Sequence, residues 1–117
     1  MGDYYEFLFR GVLKKDAPKD IKHIIRILEM NGYNKELKEK YPTLDVDWIY
    51  TSSYYIHPQH IFKVDFDPVN ELMSFFIYCS VKEGHREEIQ PFVDTLIPYL
   101  QSYGAFIKSE EGEVTWF

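Results

Sequence analysis

The chain has 117 residues, a formal net charge of −6 and 45% hydrophobic content, with ten Tyr, nine Phe and two Trp. So much apolar side chain excludes a disordered chain, and the length suits one domain, residues 1–117, whose core needs neither metal nor disulfide. The single cysteine, Cys79, excludes an intramolecular disulfide and fits a reducing compartment.

The first residues, MGDYYEFLFRG, are acidic before they are apolar, so they do not read as a secretory signal. Glu6 stands where a myristoylation pattern wants Ser or Thr. No apolar run approaches the length of a membrane span, so a cytoplasmic protein is expected. Tyr4 to Lys14 alternate: Tyr5, Phe7, Phe9, Gly11 and Leu13 share one face, and Glu6, Leu8, Arg10, Val12 and Lys14 the other. That period predicts a strand with one strongly apolar side. Gly11 inside it predicts a bulge or a close approach by a neighbouring segment.

The segment DAPKDIKHIIRILEMNG predicts a helix over 17–31. Asp16 is its expected N-cap, Pro18 suits the first turn, and Asn31-Gly32 is the expected stop. Ile21, Ile24, Ile25 and Leu28 form its apolar stripe. Residues 33–47 are weakly patterned; Leu37, Tyr41 and Leu44 suit a short helical turn laid on the core, ended by Pro42. WIYTSSYY, Trp48 to Tyr55, reads as a second strand that His57-Pro58 breaks.

IFKVDFD, Ile61 to Asp67, alternates as an edge strand with charges to solvent, and Asp67 to Asn70 is turn chemistry. LMSFFIYCSVK, Leu72 to Lys82, is nearly all apolar and predicts a central strand. A second helix is expected from about Arg86 to Ser102, striped by Ile89, Phe92, Val93, Leu96, Leu100 and Tyr103 and stopped by Gly104. Glu87 and Glu88 suit its N-terminus, while Pro91 and Pro98 each remove a helix hydrogen bond. Last, AFIKS and VTWF flank EEGE as a hairpin with Gly112 in the turn.

This order predicts an α+β fold. The ferredoxin-like βαββαβ sandwich fits best, with two helices on one face of an antiparallel sheet and a C-terminal β-hairpin added at an edge. The segment Ser52 to Pro58, the strand ending Ser80-Val81-Lys82, REEIQPFVDTLIPYL and the tail GAFIKSEEGEVTWF together resemble a family of small bacterial proteins with no established activity. That family shows a Ser-x-Tyr-Phe-Pro segment, an acidic helix with an Ile-x-Pro-Tyr-like ending and a Gly-Phe…Glu-Glu…Tyr-Phe tail. The likeness spans roughly residues 48–117, with Tyr55-Ile56-His57-Pro58 in place of the compact Tyr-Phe-Pro. It implies a bacterial, soluble, single-domain protein and carries over no functional residue.

Candidate chemistry is sparse. His57 and His60 are three apart, but two imidazoles fall short of a zinc site's four ligands, so no metal is expected and the pair reads as a polar turn. Cys79 and His85 flank a strand-to-helix step where nucleophiles often sit, yet a cysteine in an apolar strand usually acts as a small hydrophobe. Asp45/Asp47 and Asp65/Asp67 have strand spacing and read as solvated pairs; paired carboxylates do acid–base work only when their pKa values are driven apart. Lys82 to Arg86 offers a weak anion site at a helix start. No cofactor motif is present.

Residues 1–58 balance nine Lys/Arg against nine Asp/Glu, whereas 59–117 set four against ten. An acidic half repels phosphate backbones, so no nucleic acid is expected, and it attracts a basic partner. The expectation is a non-enzymatic protein-interaction module, immunity- or antitoxin-like, binding a basic protein through Glu110, Glu111, Glu113 and Trp116. The alternative is an enzyme or small-molecule binder with a pocket lined by Tyr50, Ser52, Tyr54, His57 and Tyr78. A homodimer formed through an edge strand, 61–67 or 113–117, is a third expectation.

Overall fold

The computed structural model describes residues 4–30, 35–44 and 61–117. Their fold is α+β: a five-stranded, fully antiparallel sheet with helices. Strand β1 is Tyr4–Leu13, helix α1 Lys19–Glu29 and helix α2 Lys35–Lys40, followed by a 3-10 turn at Pro42–Leu44. Strand β2 is Ile61–Asp67 and β3 Leu72–Lys82. A 3-10 turn at Glu83–His85 opens helix α3, Arg86–Leu96, and another at Ile97–Tyr99 leads into strand β4, Leu100–Lys108; β5 is Val114–Trp116. The strand order is β2-β3-β1-β4-β5, so β1 is central and, among the described residues, β2 and β5 are the edges.

The apolar side of β1 seeds the core. Phe7, Phe9 and Leu13 cluster with Met73, Phe75, Ile77, Cys79 and Val81 of β3 and with Ala105 and Ile107 of β4. The α1 stripe of Ile21, Ile24, Ile25 and Leu28 and the α3 stripe of Ile89, Phe92, Val93 and Leu96 enter that same cluster, so both helices cover one face of the sheet. Phe9 is its hub: its ring lies edge-on to Phe75 at 5.0 Å and to Phe92 at 6.0 Å between centroids. Leu44, in the turn after α2, is also buried there, and Tyr41 packs against it.

Several boundaries differ from the sequence reading. The N-cap of α1 is Pro18, not Asp16, and no side chain caps it. Helix α3 ends at Leu96 rather than Ser102, because Pro98 cannot donate the next helical hydrogen bond and the chain passes into β4. Leu100 and Tyr103 are therefore strand residues, and Gly104 pairs with Arg10 within β4 instead of stopping a helix. The expected strand at 48–55 and the Asn31-Gly32 stop lie outside the described residues.

Asp67 holds the β2–β3 turn: its carboxylate accepts from the Asn70 side-chain amide at 2.7 Å and from the backbone N–H groups of Val69 and Asn70. The Asn70 amide and those N–H groups keep its carboxyl below the usual carboxylate range. Pro91 sits inside α3, exposed, where its missing N–H would otherwise bond the Glu87 carbonyl. Pro91→Ala should therefore stabilise the protein, by about 1–3 kcal/mol in urea unfolding. The gain stays below the full helix-interior penalty because alanine also frees the unfolded chain.

Candidate functional site

On the side of the sheet away from α1 and α3, strand register arranges the side chains in rows. The central row runs Ile61, Tyr78, Leu8, Phe106, Trp116, one residue from each strand in spatial order. Ile61 and Trp116 are exposed, Trp116 by 70%, and the Phe106 and Trp116 rings lie 5.2 Å apart. Towards one end of the strands the next row is Lys63, Phe76, Arg10, Gly104. Towards the other it is Ser80, Glu6, Lys108, Val114. A continuous apolar band thus crosses the sheet with charged rows on both sides.

The Tyr78 hydroxyl donates to Glu6 Oε1 at 3.0 Å, and burial together with that bond raises the phenol's pKa. Arg10 is exposed and makes no ion pair among the described residues; its stem crosses the space above Gly104, where an added Cβ would stand 3.5 Å from Nε. Ser80 is buried, and its Oγ has no hydrogen-bond partner among the described residues. A cleft of about 350 Å³ opens by Arg10, Val12, Ser74, Phe76, Ser102 and Tyr103.

A second feature is a charged end. Tyr4 pairs with Lys82 and Glu6 with Lys108, so the start of β1 lies beside the ends of β3 and β4. The turn entering α3 and the β4–β5 hairpin turn consequently meet at one end of the sheet. Glu83, Glu87, Glu88, Glu110, Glu111 and Glu113 are all exposed there. The Tyr4 backbone N–H donates to Glu110 Oε1 at 2.9 Å, which ties the hairpin to β1. The Ser109 hydroxyl accepts from the Glu113 N–H, and Gly112 takes the turn at φ +91°, a value that favours glycine. Among the described residues Lys82, Arg86 and Lys108 are the cations at this end, with Arg86 stacked 5.6 Å over the Tyr5 ring. The opposite end of β1 leads to Lys14, Lys15, Lys19 and Lys22.

Of the residues expected from sequence to line a pocket, Tyr50, Ser52, Tyr54 and His57 lie outside the described residues, as do His60, Asp45 and Asp47. Tyr78 belongs to the sheet face away from α1 and α3. Glu110, Glu111 and Glu113 share the charged end, whereas Trp116, 70% exposed, stands on that sheet face in β5. Cys79 and His85 are not brought together: Cys79 lies in the core, where burial pushes its thiol up to about 12, and His85 Nδ1 is 3.1 Å from Glu88 Oε1. Asp65 is on the same sheet face as Tyr78, while Asp67 is committed to its turn.

Among the described residues, no three His, Cys, Asp or Glu side chains converge as a metal site, and no helix is long and apolar enough to cross a membrane. Sequence reading passed over Leu8, Arg10, Phe76 and Phe106 as site residues. The signal was present in β1, where Leu8 and Val12 break an otherwise charged side. Comparison with protein-family models, with curated proteins and with solved structures found no match.

Proposed function

We propose that the chain is a non-enzymatic protein-interaction module that receives a basic protein partner at its acidic end. The observation that carries this reading is the convergence of six exposed glutamates from two separate turns, 83–88 and 110–113, at one end of the sheet. Among the described residues three Lys/Arg side chains share that end, and one of them is stacked on Tyr5. Fields of one sign gathered on a rigid frame speed encounter with an opposite charge and suppress like-charged partners. The hairpin is anchored through Glu110 and Gly112, so its carboxylates are presented with little ordering cost.

The same proposal places the layout in the ferredoxin-like class. Read inward from β4, the order β4-β1-β3-β2 with antiparallel neighbours supports that assignment, as does the single core shared by α1 and α3; β5 is then an addition at the edge. Because that class supports many functions, the charged end and not the fold carries the functional reading.

The test is capture from lysate of the cells that produce the chain, comparing wild type with a variant carrying Glu110→Lys, Glu111→Lys and Glu113→Lys. Wild type should retain basic proteins that the variant does not, and the retained set should shrink as salt rises through a few tenths molar. Equal recovery by both chains, or recovery indifferent to salt, would refute the proposal.

A further inference from the structure

We propose that the outer edge of β5 is a self-pairing edge: a second copy of this chain adds its own β5 there across a two-fold axis at Thr115, joining the two sheets into one. The inference does not rest on the basic partner proposed above.

An edge strand carries a row of unpaired N–H and C=O groups, and a fold either blocks such a row or uses it. The two edges of this sheet are treated differently. On β2 the Val64 N–H donates to Glu29 Oε2 at 2.6 Å, so it faces away from β3 and a carboxylate from α1 already occupies it. Exposed Lys63 and Asp65 flank that bond. A strand arriving there would have to displace Glu29 and desolvate both charges. On β5 no such guard stands among the described residues. Val-Thr-Trp contains neither charge nor proline, and its pairing with β4 runs without a bulge.

The hydrogen bonds show which groups of β5 face outward. The Ser109 N–H donates to the Glu113 carbonyl at 2.8 Å, and the Phe117 N–H to the Ala105 carbonyl at 3.0 Å. Backbone alternation therefore turns Thr115 towards β4 and the N–H and C=O groups of Val114 and Trp116 outward. Those outward groups have no partner among the described residues. Val114, Thr115 and Trp116 are all exposed, so the edge they form is uncovered.

This edge is its own complement, which selects the occupant. Antiparallel pairing must set an outward residue of one copy against an outward residue of the other. With Thr115 on the axis, Val114 of each copy meets Trp116 of the other, and each pair exchanges both its hydrogen bonds. Sliding the axis to Val114 would set Trp116 against Gly112, whose N–H is already given to the Ser109 carbonyl in the turn. Aromatic against β-branched and Thr against Thr are favourable cross-strand pairs. Trp116 then lies between Phe106 of its own chain, 5.2 Å away, and Val114 of the other. The same axis sets Glu113 beside Phe117 and carries the two glutamate turns to opposite ends of the joined sheet, so like charges are not opposed. The ladder is short, so the dimer is weak, with a dissociation constant of about 0.1–1 mM.

Sedimentation equilibrium on the full chain, at up to about 2 mM, reads the association. Thr115→Lys and Thr115→Glu each oppose like charges at the axis and should each weaken self-association at least about tenfold. An equimolar mixture of the two should form a heterodimer at least as tight as the wild-type dimer, a rescue that only contact between the two copies of residue 115 produces. Val114→Pro removes an outward N–H and leaves the bonds to β4, so it should fold, checked by circular dichroism, and weaken the dimer about tenfold as well. Asp65→Lys on the β2 edge should leave the dissociation constant within about twofold of wild type. A wild type still monomeric at about 2 mM would overturn the proposal. So would Thr115 or Val114 variants that associate as wild type does, a mixture of charge variants that stays monomeric, or loss of the dimer with Asp65→Lys.

Discussion

Phe9→Ala is expected to destabilise the protein by about 3–5 kcal/mol, the largest loss of any single truncation considered. Phe9 is fully buried at the middle of the central strand, paired with Ile77 on one side and Ala105 on the other. Its ring meets Phe75 and Phe92 edge-on and lies 6.2 Å from Phe7, so alanine would remove both transferred area and three aromatic contacts. Three rigid rings around the site limit collapse into the space left behind, which places the cost in the upper part of the range for such truncations. Total stabilities of single domains are about 5–15 kcal/mol, so the loss is a large fraction of the whole. Urea unfolding followed by tryptophan fluorescence measures the loss. Phe66→Ala is the control: Phe66 is 52% exposed on the edge strand and should change stability by less than about 0.5 kcal/mol. Equal losses at the two positions would show that the shared core is not organised around β1.

Gly11→Val is the second large effect, and here two rules disagree. Valine is a far better strand residue than glycine, which alone would argue for a gain of up to about 1 kcal/mol. Packing argues the reverse. A Cβ at this position would lie 2.9 Å from Phe75 Cζ and 3.0 Å from Leu100 Cδ1, closer than side chains tolerate. Both neighbours are buried, so neither can move aside without displacing the core. Overpacking should win, with a net loss of about 1–3 kcal/mol. Shortening the obstructing ring supplies the check: Phe75→Leu in the Gly11→Val background should cost less than Phe75→Leu in wild type. Additive losses would mean that the close approach of Phe75 does not set the requirement for glycine.

Gly11 shows how the sequence and the fold divide the work. Alternation along β1 placed position 11 on the buried face, and an interior glycine suggested that something approaches closely. What approaches is the Phe75 ring and the Leu100 side chain, from residues more than sixty positions away in sequence, and only strand pairing brings them there. The end of α3 has a similar history. Leu96, Leu100 and Tyr103 continue a helical spacing, but they also include two positions of a strand. Pro98 and the pairing of Leu100 with Leu13 decide for the strand.

The candidate surfaces divide likewise. The glutamates of 83–88 and 110–113 were legible as charge, and Trp116 as an exposed anchor. Their placement was not: the first two groups meet at one end because β3 and β4 both end beside the start of β1, and Trp116 belongs to a different surface. The apolar band is the extreme case, since its five members come from five strands and no window of sequence contains them together.

What the sequence determined by itself is local. Periods of 2 and 3.6 settle the identity and buried side of β1, β2, α1 and the first turns of α3, because backbone geometry assigns a face to every second residue of a strand and to each turn of a helix; β3 reads as a strand from its apolar run, without a side. Tertiary structure decided the rest: strand order, the end of α3, the close packing at Gly11 and the rows across the sheet. Those depend on register between distant segments, and register is settled by burial of the whole apolar face at once rather than by any neighbour in the chain.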